Sequence, residues 1–392
     1  MVNVIFGQIL EPDCLRKEYN YIQYKNPSVL KTFNEKWNAK KKLTVLHLGD
    51  SHLQNENLPN KCRQLIQKIM GDGGIGLIQP FSIVKSYNAS FYNSTHTGNW
   101  EYSKSYILPP KHPLGVRGMT AKTLDAQASF RIVFKANLLE KNTILSVFAS
   151  TDDESYMPLF SADSIPATLI SKTAGLYKYS LPLKYKTLQL NLKQTDSIQK
   201  QFTLYGMSLS NDDETGAIWH NAGVGACQYK SVLFEEKYLE QANYLNSDLI
   251  IIDYGTNDFL YKNAIPTELK TEIIDVINKV RIANPNASII LTSAQNMHYK
   301  KVNITASKIF SNMIKTIAFE NNCGFWDWYI VSGGAKSMAA WQMSKLAMTD
   351  GIHLNAKGAQ LKGTLLVEAL INTNQCLNEA SEIDELMYET HK

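Results

Sequence analysis

Four short polar stretches in this 392-residue chain carry side chains suited to acyl transfer. They are Gly-Asp-Ser-His at 49–52, Gly-Val-Gly-Ala at 223–226, Gly-Thr-Asn-Asp at 255–258 and Asp-Gly-Ile-His at 350–353. A serine esterase needs a nucleophile, a base and a carboxylate that orients the base. Ser51, His353 and Asp350 have the chemistry for these three roles, so we take them as the candidate catalytic residues.

The spacing of the acid and the base also fits this chemistry. Asp350 precedes His353 by three residues, so on one turn its carboxylate can reach the imidazole Nδ1. The Nε2 atom of the histidine would then face the serine, as general base catalysis requires.

Acyl transfer further needs donors aimed at the oxyanion of the tetrahedral intermediate. We predict that these are the backbone N–H groups of Ser51 and Gly225 and the side-chain amide of Asn257. Gly223 is an alternative to Gly225, because the sequence does not decide which glycine N–H faces the serine. Each stretch alone also fits an ordinary turn, and only the set together favours a catalytic site.

The elements around these stretches predict an open α/β sheet. Apolar runs at 43–48, 249–254 and 287–293 have strand length, and helical apolar spacing follows each of them. Strands apolar on both faces indicate a parallel sheet between helix layers. The stretches at 49–52 and 255–258 follow strands directly, where open α/β sheets bind ligands.

A different pattern occupies the middle of the chain. Short runs of alternating apolar and polar residues replace the helical spacing, as expected for an antiparallel β-sandwich. These runs are 130–134, 144–148, 176–181, 188–192 and 202–207. We therefore predict four segments: an N-terminal hydrolase part at 1–80, an inserted β-sandwich at 81–215, a C-terminal hydrolase part at 216–375 and a tail at 376–392.

Composition narrows the classes of protein. Apolar content of 44%, charged content of 19% and a net charge of +4 are ordinary for a globular protein. The lysines are scattered, so we predict no nucleic-acid partner, and no apolar run has the length of a membrane span. The five cysteines are far apart, so we predict neither a metal site nor a cofactor.

The first residues bear on export without deciding it. The run at 2–8 is apolar, but it is too short for a complete signal peptide and no lysine or arginine precedes it. It fits either the remnant of a signal sequence or a disordered start.

The four stretches occur in the order of the SGNH, or GDSL-type, hydrolase family, which the chain resembles. This resemblance implies a flavodoxin-like three-layer domain with Ser51, Asp350 and His353 as its catalytic residues and Ser51, Gly225 and Asn257 as its oxyanion donors. The run Leu-His-Leu-Gly-Asp-Ser-His-Leu-Gln at 46–54, Leu-Tyr-Gly at 204–206 and the β insert are similar to bacterial peptidoglycan O-acetylesterases. In that group the insert resembles a carbohydrate-binding module.

The narrower resemblance implies a substrate and a location. The enzyme would remove acetyl from the C6 hydroxyl of N-acetylmuramoyl residues, and it would be exported to the periplasm or cell envelope. An acetylated glycan would be the partner, while the oligomeric state stays open. The alternatives are an acetylesterase for another polysaccharide such as xylan, an O-acetyltransferase, and a glycan-binding protein without activity.

Overall fold

The computed structural model describes residues 11–138 and 143–389. The apolar run at 2–8, considered above as a signal remnant, lies outside the described residues. The described residues form a six-stranded, mainly parallel sheet between helix layers, two larger antiparallel sheets and one short hairpin.

Twenty strands and ten α-helices are formed by the described residues. The strands are β1 (Ile22–Gln23), β2 (Leu43–Gly49), β3 (Gly76–Ile78), β4 (Tyr92–Thr97), β5 (Glu101–Lys104), β6 (Met119–Thr123), β7 (Ser129–Leu138), β8 (Thr143–Ala149), β9 (Met157–Ala162), β10 (Ile165–Pro166), β11 (Thr168–Thr173), β12 (Leu176–Leu181), β13 (Tyr185–Lys193), β14 (Phe202–Asn211), β15 (Ala217–Gly223), β16 (Leu249–Asp253), β17 (Ser288–Thr292), β18 (His298–Tyr299), β19 (Val302–Asn303) and β20 (Gly324–Trp326). The helices are α1 (Lys31–Asn38), α2 (Ser51–Gln54), α3 (Asn57–Met70), α4 (Tyr238–Leu245), α5 (Thr256–Phe259), α6 (Leu269–Ala283), α7 (Ala306–Glu320), α8 (Trp328–Val331), α9 (Ser337–Met343) and α10 (Ala356–Glu389).

The parallel sheet has the order β1-β20-β17-β16-β2-β15, and only its edge strand β1 runs antiparallel to its neighbour. Successive residues of β16 alternate between two apolar cores. Leu249 and Ile251 pack in the core that contains the inner faces of α1, α3 and α10. Ile250 and Ile252 pack in the core that contains α6 and α7. Burial on both faces explains why this strand is an unbroken apolar run.

The chain between β2 and β15 forms the antiparallel sheets. One has the order β10-β9-β13-β7-β4; the other has the order β11-β12-β8-β14-β6-β5, with β3 also paired to β14. Rings from the two sheets meet in the core between them, where Phe160 and Tyr179 have centroids 5.2 Å apart. This arrangement follows from the alternation of apolar and polar residues, which gives each strand one buried face.

The antiparallel sheets are attached to the α/β part by packing and by charge. Their core is continuous with the α6–α7 side of the parallel sheet. Arg117, which is fully buried, pairs with Glu56 at 3.0 Å and also donates to the backbone oxygen of Asn221. The ion pair and the hydrogen bond therefore join the insert to the start of α3 and to β15.

The predicted fold class is confirmed: a mainly parallel α/β sheet is combined with additional antiparallel sheets. The exact domain bounds stay a prediction. The last helix, α10, continues to Glu389 and so enters the segment predicted as a tail.

Candidate active site

Ser51 is the first residue of α2, directly after β2. Asp50 caps this short helix, because its side chain accepts the His52 N–H at 2.9 Å. The first N–H groups of a helix have no partner within the helix. The Ser51 N–H thus belongs to a helix start at the carboxyl edge of the parallel sheet.

Ser51, His353 and Asp350 form a continuous chain of hydrogen bonds. Ser51 Oγ lies 2.8 Å from His353 Nε2, and His353 Nδ1 lies 2.7 Å from Asp350 Oδ2. The other carboxylate oxygen of Asp350 accepts the N–H groups of Ile352 and His353 at 2.8 and 3.0 Å. Because an ionised carboxylate only accepts, we assign the proton of His353 to Nδ1, which leaves Nε2 free to accept from the serine.

The environment favours the charged form of Asp350. Burial raises the pKa of its carboxyl, but the hydrogen bonds from His353 and Ile352 outweigh this effect and hold the pKa below its usual value. The Asp350 and His353 side chains remain 39% and 34% exposed. The Asp350 carboxylate and the His353 imidazole are therefore in reach of solvent water.

Two of the predicted oxyanion donors, the Gly225 N–H and the Asn257 amide, are engaged with protein acceptors. The Gly225 N–H donates to Gln54 Oε1 at 2.5 Å, and a Cβ built on Gly225 would lie 3.8 Å from Ser51 Cβ. The Asn257 amide donates to the backbone oxygen of Cys227 at 2.9 Å. The alternative donor, the Gly223 N–H, is held by Asn221 Oδ1 at 2.8 Å.

Local backbone geometry positions Asn257. Gly255 has φ +123°, and a Cβ there would come within 2.5 Å of the Phe310 ring, so the turn before α5 requires glycine. Gln228 fixes the turn from the other side by donating to the backbone oxygen of Asn257 at 2.7 Å. Burial raises the pKa of the adjacent Asp258 carboxyl to about 7, and the negative charge of Asp50 contributes to this rise.

A second Asp–His pair lies on the other side of Ser51. Asp50 Oδ1 is 2.8 Å from His52 Nδ1, and both side chains are buried. Gln295 Nε2 lies 2.7 Å from His52 Nε2 and donates to the backbone oxygen of Ile352 at 2.9 Å. Burial lowers the pKa of His52, but the charge and hydrogen bond of Asp50 outweigh it and raise this pKa above its usual value.

A buried charge cluster lies at the ends of β2 and β16. Asp253 Oδ2 is 2.7 Å from Lys362 Nζ, and Asp253 Oδ1 accepts from Thr292 Oγ1 at 2.6 Å. Burial alone would raise the pKa of Asp253, yet the neighbouring Lys362 ammonium and His47 hold it well below its usual value. The cluster joins α10, which follows His353, to the strand that precedes Gly255.

The cavity beside Ser51 is small. A cavity of about 70 Å³ borders Ser51 and His353, and Leu58, Met348 and Leu354 are among its other lining residues. Aromatic faces suit sugar rings, but three tryptophans of this domain are buried and pack in the core: Trp326, Trp328 and Trp341.

The structure therefore brings together Ser51, His353, Asp350, Gly225 and Asn257 from four separate stretches, while their catalytic roles stay predictions. Sequence reasoning missed Gln54, which occupies the Gly225 N–H, and Gln295, which links His52 to Ile352. Neither glutamine lies in a motif that signals its role. Among the described residues, no group of His, Cys, Asp and Glu is arranged to hold a metal ion, and no helix is long and apolar enough to cross a membrane.

Comparisons with known proteins bear on the family and the fold. Residues 205–361 match the sequence model of the GDSL-like lipase/acylhydrolase family. A solved peptidoglycan O-acetylesterase structure is similar with a TM-score of 0.71 and 19% identity, over 93% of this chain and 99% of that chain. No curated protein matches the chain.

Two further solved structures match with low scores. The lipase/acylhydrolase from Enterococcus faecalis has a TM-score of 0.31 and 18% identity, over 39% of this chain and 75% of its own. A family two carbohydrate esterase from Clostridium thermocellum has a TM-score of 0.32 and 11% identity, over 70% of this chain and 98% of its own. Scores of this size carry no inference about this chain.

Proposed function

We propose that this chain, which contains a hydrolase domain of the GDSL-like lipase/acylhydrolase family, removes O-acetyl groups from a cell-wall glycan. The substrate we propose is peptidoglycan acetylated at the C6 hydroxyl of its N-acetylmuramoyl residues. The observation that carries the proposal is the chain of hydrogen bonds from Ser51 through His353 to Asp350, at 2.8 and 2.7 Å.

The first half of the reaction forms an acetyl-enzyme. His353 Nε2 takes the Ser51 proton while Ser51 Oγ attacks the acetyl carbonyl, and Asp350 stabilises the imidazolium. The Ser51 and Gly225 N–H groups and the Asn257 amide bind the oxyanion. For this the carbonyl oxygen of the substrate replaces Gln54 Oε1 as the acceptor of the Gly225 N–H. The intermediate collapses to acetyl-Ser51, and His353 returns the proton to the departing sugar hydroxyl.

The second half hydrolyses acetyl-Ser51. His353 takes a proton from a water molecule, whose oxygen attacks the acetyl carbon, and acetate leaves as Ser51 Oγ regains the proton. The partial exposure of Asp350 and His353 supports hydrolysis rather than transfer to a sugar, because solvent water reaches the base directly.

The size of the site supports acetyl as the acyl group. The cavity beside Ser51 has a volume of about 70 Å³, which accommodates a methyl group and not a long acyl chain. The glycan part of the proposal rests on the four sequence stretches, on the β insert and on the fold shared with a peptidoglycan O-acetylesterase. With peptidoglycan as substrate, the enzyme would act after export, in the periplasm or cell envelope.

The test is acetate release from O-acetylated peptidoglycan, acetyl-xylan and acetylated chito-oligosaccharide acceptors. We expect acetate release to be fastest from peptidoglycan and to be abolished in Ser51→Ala. Faster acetate release from acetyl-xylan would identify the enzyme as an acetylesterase for that polysaccharide. Acetyl transfer to chito-oligosaccharide in excess of hydrolysis would identify it as an O-acetyltransferase. A folded protein that binds glycan without releasing acetate from any substrate would contradict an enzymatic function.

A further inference from the structure

A groove of about 470 Å³ lies beside Gly225, on the side of the antiparallel sheets. Its walls come from Gln54, Gly225 and Ala226 and from two Lys-Ser-Tyr tripeptides, at 85–87 and 104–106. All three residues of the first tripeptide line the groove, whereas in the second only the lysine and the tyrosine do, because Ser105 is buried behind them. A Cβ on Gly225 would be 3.8 Å from Ser51 Cβ, so the groove opens next to the nucleophile. We call it the Lys-Ser-Tyr groove.

The serines of the two tripeptides tie the groove to the catalytic loops. Ser86 Oγ accepts from Gln54 Nε2 at 2.5 Å, and Gln54 is the residue that contacts the Gly225 N–H. Ser105 Oγ lies 3.0 Å from the sulfur of Cys227, whose backbone oxygen holds Asn257. The groove is thus linked to two of the three predicted oxyanion donors, Gly225 and Asn257.

The charge of the groove is positive and lacks a protein counter-ion. Lys104 is only 7% exposed, and its ammonium donates to the backbone oxygen of Lys85 at 3.0 Å. The carboxylates of the described residues form no ion pair with Lys85 or Lys104, and no acidic residue lines the groove. The Tyr102 and Tyr106 rings lie 5.3 and 5.9 Å from Lys104 Nζ. Because burying an ammonium without a carboxylate is costly, an anionic ligand would complete this site.

Two aromatic rings of the groove face solvent. Tyr87 is 80% exposed and Tyr106 is 42% exposed. Exposed tyrosines present an apolar face and a polar tip, a combination that suits stacking against a sugar ring. The buried tryptophans of the α/β part offer no such surface.

We propose that the Lys-Ser-Tyr groove binds a carboxylate-bearing sugar adjacent to the acetylated position, with Lys85 and Lys104 holding the carboxylate and Tyr87 and Tyr106 contacting the ring. This inference rests on the proposed esterase function and adds a determinant of substrate choice. The carboxylate comes either from the lactyl or peptide substituent of a muramoyl residue or from a uronic acid.

The experiment compares Lys85→Met, Lys104→Met and the double variant with the wild type on four substrates. These are O-acetylated peptidoglycan fragments, acetylated polygalacturonate, neutral acetylated xylo-oligosaccharides and the small ester p-nitrophenyl acetate. Losing a charge-assisted hydrogen bond should raise KM on the acidic glycan about tenfold or more in Lys104→Met, and less in the exposed Lys85→Met. The kcat on every substrate and the KM on the two neutral substrates should not change.

Two controls separate recognition from folding. Lys193→Met removes an exposed lysine on β13 and should change neither KM nor kcat. Lys85→Glu reverses the charge at an exposed position, so it should lower kcat/KM on the acidic glycan and leave p-nitrophenyl acetate unchanged even if Lys104→Met does not fold. Added salt should raise KM of the wild type on acidic glycan and have less effect on the double variant.

The outcomes distinguish this inference from the proposed function. If acetate were released from acetylated polygalacturonate in a lysine-dependent way and not from peptidoglycan, the proposed role of the groove would stand and the proposed substrate would be wrong. Release from peptidoglycan with the same KM in wild type, Lys85→Glu and the double variant would reject the groove and keep the proposed function. Equal losses on acidic and neutral substrates would also reject it, because they indicate a structural role for the lysines.

Discussion

Two Asp–His pairs flank Ser51, and they differ in what their histidines can reach. In the Asp350–His353 pair the imidazole Nε2 faces Ser51 Oγ, and both side chains are partly exposed. In the Asp50–His52 pair the imidazole Nε2 faces Gln295, and both side chains are buried. The rings of His52 and His353 are only 5.2 Å apart. Both histidines are near Ser51, so distance alone does not distinguish them. Only His353 has an Nε2 directed at the Ser51 hydroxyl, which is why we propose His353 as the base.

The second pair has a different task in this account. Through Gln295 it contacts the backbone oxygen of Ile352, the residue directly before His353. Asp50 also caps α2, which begins at Ser51. The buried pair thus contacts the segments that carry both Ser51 and His353, and we propose Asp50, His52 and Gln295 as positioning residues.

Replacing each histidine by asparagine gives the sharpest contrast. His353→Asn should lower kcat on p-nitrophenyl acetate by about 10⁶-fold, because no other group takes the serine proton. His52→Asn retains a donor toward Asp50, and misplacement of the base should cost no more than about 10²-fold. Steady-state rates would be compared after urea unfolding confirms that both variants fold. Similar losses in the two variants would contradict the division of tasks.

The carboxylates should differ in the same way. Asp350→Asn should reduce kcat about 10⁴-fold, since the amide favours the wrong tautomer of His353. Asp50→Asn keeps an acceptor for the His52 N–H and should have a much smaller effect on kcat. The measurement is kcat for both variants across pH; a larger loss in Asp50→Asn would mean that the buried pair takes part in proton transfer.

Gln295 tests the link between the two pairs. Gln295→Leu removes the donor to Ile352 and should lower kcat roughly tenfold, with little change in KM, because the base loses part of its positioning. The measurement is kcat and KM of Gln295→Leu and of the matched control Gln194→Leu, whose amide donates to the backbone oxygen of Gln199 on the exposed surface after β13. An unchanged kcat in Gln295→Leu would remove the proposed link.

The last prediction concerns stability rather than rate, and it involves the effect of the Asp50 charge on Asp258. The folded-state pKa of Asp258 is raised to about 7, so the stabilisation this group contributes is complete below its ordinary pKa of 3.8 and is lost as pH rises toward 7. Asp258→Asn should abolish that fall in the free energy of unfolding, and Asp50→Asn should reduce it. Urea unfolding across this pH range measures the effect, and an unaltered pH dependence in Asp258→Asn would assign it to other groups.

The sequence predicted the fold class because apolar periodicity reflects burial directly. The unbroken apolar run at 249–254 corresponds to β16, which is buried on both faces, and the alternating runs correspond to strands of the antiparallel sheets. The bounds of the insert were less predictable. The insert was predicted to begin at residue 81, yet β3 precedes that residue and pairs with β14 of the insert. Pairing between strands that are distant in sequence leaves no local pattern.

The candidate site was predictable where chemistry constrains residue type, as at Ser51, Asp350 and His353. The contacts that Gln54 and Gln295 make in the site were not predictable from the sequence. A glutamine amide suits many surroundings, so its role depends on the tertiary fold. The repeated Lys-Ser-Tyr tripeptide is a signal in the sequence, but only the fold places its two copies around one groove.

The most direct test of the account is to locate the acetyl group during turnover. The wild type and Ser51→Ala would be mixed with O-acetylated peptidoglycan or p-nitrophenyl acetate, quenched in acid, digested and analysed by peptide mass spectrometry. We predict acetyl on Ser51 in the wild type, and none in Ser51→Ala. Acetate release with the acetyl group on another residue, or undiminished release by Ser51→Ala, would contradict the assignment of Ser51 as the nucleophile.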